Sequence, residues 1–328
     1  MTLRRLPFAT ESVAGLSAVV TGGSRGLGLL IAGELAAHGC TVTLAARDAE
    51  ELERAAAGLR GADVGAGNVR TAACDVRDRD QVEALFTSVA AECGAVDIVV
   101  ANAGIIQVAP VAAIGAEEFD DAMRTIFAGA LHTSLAALPH LRRSGAGGRL
   151  ALIGSVGGLL AVPHLLPYSC AKSAVAALAE GLHAEEAAGG VTVTAVHPGL
   201  MRTGSHRHAE FGGDRGREFA WFSALAGTPL VSMDAERAAA RIAEGVRRRR
   251  TRIVLTPAAK AADVLYGIAP ATVTRLSGLA ARALPKPPPG QGGLREGSKV
   301  VPPAGGLTGR LRRWGSAWND RASARFNQ

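Results

Sequence analysis

Lysine is scarce in this chain. Lys172, Lys260, Lys286 and Lys299 are the only four among 36 basic residues, so the net charge of +7 is carried almost wholly by arginine. In a chain this rich in alanine and glycine, that bias reads as genome composition. It does not point to nucleic acid, because neither a zinc-ligand spacing nor an aromatic RNA motif accompanies it. Cysteine is scarce too: Cys40, Cys74, Cys93 and Cys170 fall at no metal or redox spacing. That leaves buried thiols in a reducing compartment as the expectation, with no metal required. A secretory signal is lacking, since Pro7 and Glu11 interrupt any apolar region after Arg4 and Arg5. The longest stretch without Asp, Glu, Lys or Arg, Leu150 to Ala171, has the length of a membrane span. Its glycines, Pro163, His164 and Pro167 break it into a strand, a loop and a helix start. The expected location is cytoplasmic.

Apolar residues are plentiful, at 48% of 328, enough for one large α/β domain with additions. Apolar strand candidates lie near 16–21, 41–46, 69–74, 96–101, 149–154, 191–197 and 252–256. Alanine-rich stretches of helical length separate most of them, among them Leu27–His38, Asp80–Glu92 and Lys172–Ala188. Such alternation predicts right-handed βαβ crossovers and a doubly wound parallel sheet of about seven strands with helices on both faces. Residues 1–14 read as a loose leader and 15–257 as the α/β domain. Residues 258–284 read as apolar helical segments broken near Pro270, packed on the domain or on another copy. Residues 285–328 form a Pro/Gly-rich tail, expected to stay unpacked to Gly306. It ends in an amphipathic stripe of Leu307, Leu311, Trp314 and Trp318.

Two short stretches carry chemistry. Thr21-Gly22-Gly23-Ser24-Arg25-Gly26-Leu27-Gly28 closes an apolar run and opens a helical pattern. A glycine turn at a helix N-terminus suits a pyrophosphate, because the backbone comes close and its free N–H groups and the helix dipole receive negative charge. The alternative is a tight connection only. Tyr168-Ser169-Cys170-Ala171-Lys172 sets a phenol and an ammonium at i, i+4, on one helix face. A lysine there favours the phenolate, although such a pair can also be a plain solvated face. Ser155 stands thirteen positions before the tyrosine, at the end of an apolar segment.

With Asp75-Val76, Asn102-Ala103-Gly104 and Pro198-Gly199 plus Thr203 in the same order and spacing, the chain resembles the short-chain dehydrogenase/reductase family over roughly residues 15 to 257. The resemblance implies a Rossmann-type oxidoreductase that moves hydride between a nicotinamide cofactor and a carbonyl or secondary alcohol. By resemblance Tyr168 is the general acid/base, Lys172 serves the phenolate and the nicotinamide ribose, and Ser155 hydrogen-bonds the carbonyl oxygen. Gly22, Ser24, Arg25, Gly26, Leu27 and Gly28 would cradle the pyrophosphate. Asp75 and Val76 would meet the adenine, unless Asp75 is only a turn or cap residue. Asn102, Ala103 and Gly104 would close the fourth strand beside the cofactor, with Pro198, Gly199 and Thr203 under the nicotinamide. A small-molecule substrate and a second copy of the chain are the implied partners.

Cofactor choice is read at the end of the second strand. The family position for an acidic residue that binds a ribose 2′-hydroxyl is Ala46 here, followed by Arg47. With Arg25, two guanidiniums could hold a 2′-phosphate, which favours NADP(H); the alternative is two solvated arginines. One departure stands out. Ile126, three residues before Gly129, occupies the family's usual asparagine position. It is either a tolerated variation with slower or less pH-robust turnover, or it keeps open altered, non-redox chemistry, such as a cyclase, lyase or isomerase; a non-catalytic NADP-binding role is a further alternative. Gly204–Gly227 falls at the family's substrate lid. Its His206, His208, Phe211, Trp221 and Phe222 could face a ligand or bury the lid against the body. The arginine run Arg247–Arg250 and the apolar C-terminal segments also permit peripheral contact with an acidic membrane.

Overall fold

The central strand shows why this chain folds as it does. In the computed structural model, which describes residues 10–61, 69–228, 231–288 and 293–300, β1 (Ser17–Thr21) is buried along its whole length. Side chains of a strand alternate between faces, and here Ala18 and Val20 enter one core while Val19 enters another. The same alternation runs through β2 (Thr41–Ala46), β3 (Val69–Ala73), β4 (Ile98–Ala101), β5 (Arg149–Ile153) and β6 (Thr192–His197), while the edge strand β7 (Arg252–Val254) adds Ile253 to the first core. All seven pair in parallel, in the order β7-β6-β5-β4-β1-β2-β3. Each strand lies within two residues of its expected bounds.

Helices cover both faces. On one lie α1 (Gly26–Ala37), α2 (Ala49–Gly61) and, further along the chain, Ala235–Arg247, whose Ala238, Ala239 and Ile242 interlock with Ile31 and Leu35. On the other lie α3 (Arg79–Cys93), then α4 (Ala116–Ala122), α5 (Gly129–Leu141) and α6 (Leu166–Glu186). Between α4 and α5 the chain makes a π-helical turn, Met123–Ala128. The stretch Leu150–Ala171 is strand, loop and helix start as expected. No helix among the described residues is long and apolar enough to cross a membrane.

The chain ends depart from expectation. Residues 1–9 lie outside the described residues, but the rest of the leader is packed. Val13 is buried, and Glu11 bridges Arg149 (2.5 Å) and Arg249 (3.1 Å). The arginine run is therefore partly structural: Arg247 and Arg248 hold Glu244, and Arg249 also donates to the carbonyls of Ala146 and Gly147. Of the tail expected to stay unpacked, Arg295–Glu296 adds antiparallel to the short strand Glu210–Phe211, which itself pairs with Gln107–Val108. Leu307, Leu311, Trp314 and Trp318 lie outside the described residues. The predicted helices after the domain exist as α8 (Pro257–Ile268) and α9 (Pro270–Ala281), numbering the lid helix α7 (Arg215–Gly227). Within the one chain they pack little on the domain, the first of the two expected partners: α8 buries only Ala259, and α9 buries no residue.

Candidate active site

The strand order reverses between β1 and β4, and the carboxyl ends of these strands open onto a cleft of about 430 Å³. Such a switch point is where open parallel sheets take their ligands. Every candidate catalytic and cofactor-binding residue lines this cleft except Gly28, whereas Ile126 and, of the lid, His206, Phe211, Trp221 and Phe222 do not. Gly28 explains the close approach of the turn. A side chain there would put its Cβ 2.1 Å from the Gly22 carbonyl oxygen and 2.5 Å from Asn102 Nδ2. Asn102 fastens the turn to β4, donating from Nδ2 to the carbonyls of Thr21 (3.2 Å) and Gly22 (3.0 Å).

Helix α1 begins at this turn with no side-chain cap on Arg25 and no acidic residue in its first turn. Its first N–H groups are left for a ligand, and an anion is what an uncapped N-terminus attracts. The residues present therefore fit a dinucleotide pyrophosphate. Asp75, past the end of β3, accepts from Arg77 N–H at 3.0 Å. It thus shapes a turn while lining the cleft, so its two readings are compatible. Val76 is buried against Gly129, where any Cβ would come within 2.7 Å of it.

Arg47 is exposed at the end of β2 and makes no ion pair or hydrogen bond among the described residues. Arg25 is not so free. Its Nη1 lies 2.9 Å from Glu51 Oε2, and the Ser24 hydroxyl donates to the other oxygen of that carboxylate. Glu51 stands on α2, lines the cleft and was not singled out in the sequence. The lid's His208 also lines the cleft, at 3.1 Å from Glu296. Burial first, and the Arg25 charge second, push its pKa below the ordinary histidine value.

The other wall carries Ser155, Tyr168 and Lys172. Ser155 ends β5 and caps the short helical turn Val156–Leu159, accepting from Gly157 N–H at 3.0 Å. Pro167 sits in the first turn of α6, where its missing N–H costs nothing. Ala171, Val175 and Ala179 on that helix enter the core, which fixes how Tyr168 and Lys172 present to the cleft. The expected lowering of the phenol by lysine is not what the arrangement produces. Lys172 Nζ donates to the Ile153 carbonyl at 2.5 Å and stands 5.8 Å from the Tyr168 ring centre. Burial raises the phenol above its ordinary value, opposed by a hydrogen bond from Ser155. Burial also pulls Lys172 down to about 8. Ile126 is fully buried inside the π-helical turn. A Cβ on Gly104 would sit 3.6 Å from Ile126 Cγ1 and 3.8 Å from Lys172 Nζ, so both flank that glycine.

A sequence model of the short chain dehydrogenase family matches residues 17–210, more than half of the chain. The chain belongs to that family. Gluconate 5-dehydrogenase of Gluconobacter oxydans is 34% identical over 192 residues, 58% of this chain and 73% of the relative. A Mycobacterium tuberculosis protein named as an oxidoreductase, SadH, is 34% identical over 271 residues, covering 81% of this chain and 95% of its own length. A crystal structure of a short-chain type dehydrogenase/reductase from Mycobacterium marinum superimposes with a TM-score of 0.64 at 26% identity, over 75% of this chain and 95% of that one. The short-chain dehydrogenase is thus a Rossmann-type oxidoreductase, of a family that uses a nicotinamide dinucleotide.

The lid follows the second of the two readings open to its aromatics. Phe211, Phe222 and His206 are buried, and Phe211 meets Phe219 and Phe222 edge to face. His164, in the loop before the tyrosine, reaches buried Glu218 of α7 at 2.8 Å, and Trp221 Nε1 donates to the same carboxylate at 2.6 Å. The His164–Glu218 pair fastens the lid to the catalytic wall, and Trp221, on the same helix, holds that carboxylate in place.

One acid-sensitive group lies under the site. His197 ends β6 with no solvent exposure, and burial, then the charge of Arg252, pulls it down to about 4. In the unfolded chain a histidine takes its proton near ~6.5. Between those values the unfolded chain binds more protons, so stability is intact above that window and falls as pH drops through it. The expected loss is on the order of 1–3 kcal/mol. His197→Asn should flatten the acid limb of urea-unfolding stability; an unchanged difference between neutral pH and pH near ~4.5 would count against this assignment.

Proposed function

We propose that this short-chain dehydrogenase reduces a ketone or aldehyde carbonyl with NADPH, or in reverse oxidises a secondary alcohol. One observation carries the reading: Ser155, Tyr168 and Lys172 line the same cleft as the uncapped N-terminus of α1. Backbone N–H groups from Ser24 to Leu27 hold the pyrophosphate, Asp75 and Val76 the adenine end, and Pro198, Gly199 and Thr203 the nicotinamide end. NADPH, when bound, supplies the hydride. Ser155 donates to the carbonyl oxygen as negative charge gathers there. Tyr168 gives that oxygen its proton as general acid, and its raised pKa keeps the phenol protonated through neutral pH. Lys172 sits behind it to offset charge on the phenolate that remains. Arg47, exposed and unpartnered, supports the 2′-phosphate, and Ala46 offers no carboxylate to repel it. The Phe211–Phe219–Phe222 cluster holds the lid against the body, beside a cleft to which the lid contributes Ser205, His208 and Ala209.

Absorbance of the reduced-nicotinamide band across a panel of ketones, aldehydes and secondary alcohols tests this. Carbonyl-dependent loss of NADPH absorbance is the expected result. A second reading, non-redox chemistry with Tyr168 as acid, is favoured by Ile126 alone. Tight NADPH binding with no absorbance change on any substrate would overturn the redox reading, and turnover without redox change that Tyr168→Phe abolishes would then establish the second.

A further inference from the structure

The hairpin of α8 and α9 puts apolar side chains where a folded domain normally puts polar ones. Val264, Leu265, Ile268, Leu276 and Leu279 are each more than half exposed, and they make up five of the seven large apolar residues so exposed on the described surface. Their spacing gathers them on helix faces: Val264 and Ile268 follow Lys260 at four-residue steps, and Leu279 lies between Arg275 and Arg282. The charge on this surface has one sign. Lys260, Arg275, Arg282 and Lys286 are all exposed, whereas Asp263, the only acidic residue between Pro257 and Pro288, is taken by Arg252 at 2.7 Å.

We propose that the α8–α9 hairpin is a docking surface for an anionic lipid bilayer, lying in its interface with Val264, Leu265, Ile268, Leu276 and Leu279 among the acyl chains and the four cations at the headgroups. Mixed apolar and basic faces are what an interfacial helix presents. Each helix has 12 residues, about 18 Å of rise, which suits lying on a bilayer and cannot cross its ~30 Å core. Charge also decides against the other two occupants. A second copy would bring the same four cations against these. Residues 301–328 carry five arginines and one aspartate, so that segment would also be repelled. The hairpin is rooted at the cleft: Thr256 caps α8, and a Cβ on Gly199 would stand 2.6 Å from Thr256 Oγ1. A docked hairpin therefore holds the nicotinamide end of the cleft close to the lipid surface.

Co-sedimentation of the full chain with vesicles tests the proposal. Binding to mixed phosphatidylglycerol–phosphatidylcholine vesicles should exceed binding to pure phosphatidylcholine by at least about tenfold and fall with added salt. Leu265→Glu/Ile268→Glu/Leu279→Glu, all at exposed positions, should lower it by at least about tenfold. Arg275→Gln/Arg282→Gln, which leaves the apolar face intact, should erase the preference for the anionic vesicles. Circular dichroism and NADPH titration verify that both variants are folded. Failure of the wild-type chain to bind anionic vesicles overturns the proposal. So does undiminished binding by the triple variant, which would place the contact in residues 301–328. A wild-type dimer that the triple variant turns into monomer, with no vesicle binding, would make the face a contact between copies instead.

Discussion

Tyr168→Phe should lower carbonyl reduction by about 10²- to 10⁴-fold, the usual worth of a positioned proton donor. The change removes one oxygen. The ring remains against Leu165, Phe211 and Phe222 in its cluster, and neither α1 nor the glycine turn is touched. NADPH binding, followed by nicotinamide fluorescence, should therefore stay at the wild-type value. The pH dependence should carry the same signature. Because burial holds the phenol above its ordinary value, the acid form is fully loaded at neutral pH and reduction should be flat there. Alcohol oxidation needs the phenolate and should rise with pH. Lys172 changes charge near about 8, so a break in the oxidation profile is expected there, and Lys172→Met should remove it. A Tyr168→Phe enzyme that keeps most of its rate would show that the proton comes from elsewhere.

Arg47→Asp should reverse the choice between NADPH and NADH, shifting the ratio of Kd values by on the order of a hundredfold. A charge-assisted contact is worth roughly 1.5–3 kcal/mol, and every 1.4 kcal/mol is tenfold. The substitution removes that contact and adds a repulsion. Glu51 provides the opposite handle. Its carboxylate occupies Arg25, so a 2′-phosphate meets both a competitor for that guanidinium and a like charge. Glu51→Gln should tighten NADPH and leave NADH nearly unchanged. Competitive titration of both cofactors settles it: equal wild-type affinity for the two would remove the case for Arg47.

The parts of this site that could be read from the sequence are those that lie close together along it. A strand, a glycine turn and a helix start occupy a dozen consecutive positions, and Tyr168 and Lys172 are one helical turn apart. The sheet was legible for a similar reason, since strands buried on both faces read as continuous apolar runs. Glu51 was not, because nothing in an exposed-looking Glu50-Glu51 pair at a helix start tells that one of them turns back 26 positions to Arg25. The Lys172 pairing misled because spacing gives proximity but not burial, and burial decides both pKa values. The strand at Arg295–Glu296 was hidden by its length: two residues hold no periodicity, and the prolines and glycines around it read as linker.

That two-residue strand has a consequence for how the enzyme comes together. The patch it completes joins Gln107 to Glu210 across 103 positions and His208 to Glu296 across 88, so it closes two long loops for a handful of hydrogen bonds. Loop-closure entropy must be met before such contacts return anything. The parallel sheet closes comparable loops, with Ala18 opposite Ile98, but offsets them by deep apolar burial. On the ribosome, this last fastening of the lid waits for residues near position 296, after every catalytic side chain and the His164–Glu218 pair have been synthesised. In the finished enzyme the same balance makes the half-exposed Arg295–Glu296 strand the part of this patch expected to release first, while Val108 and Phe211 stay buried beneath it.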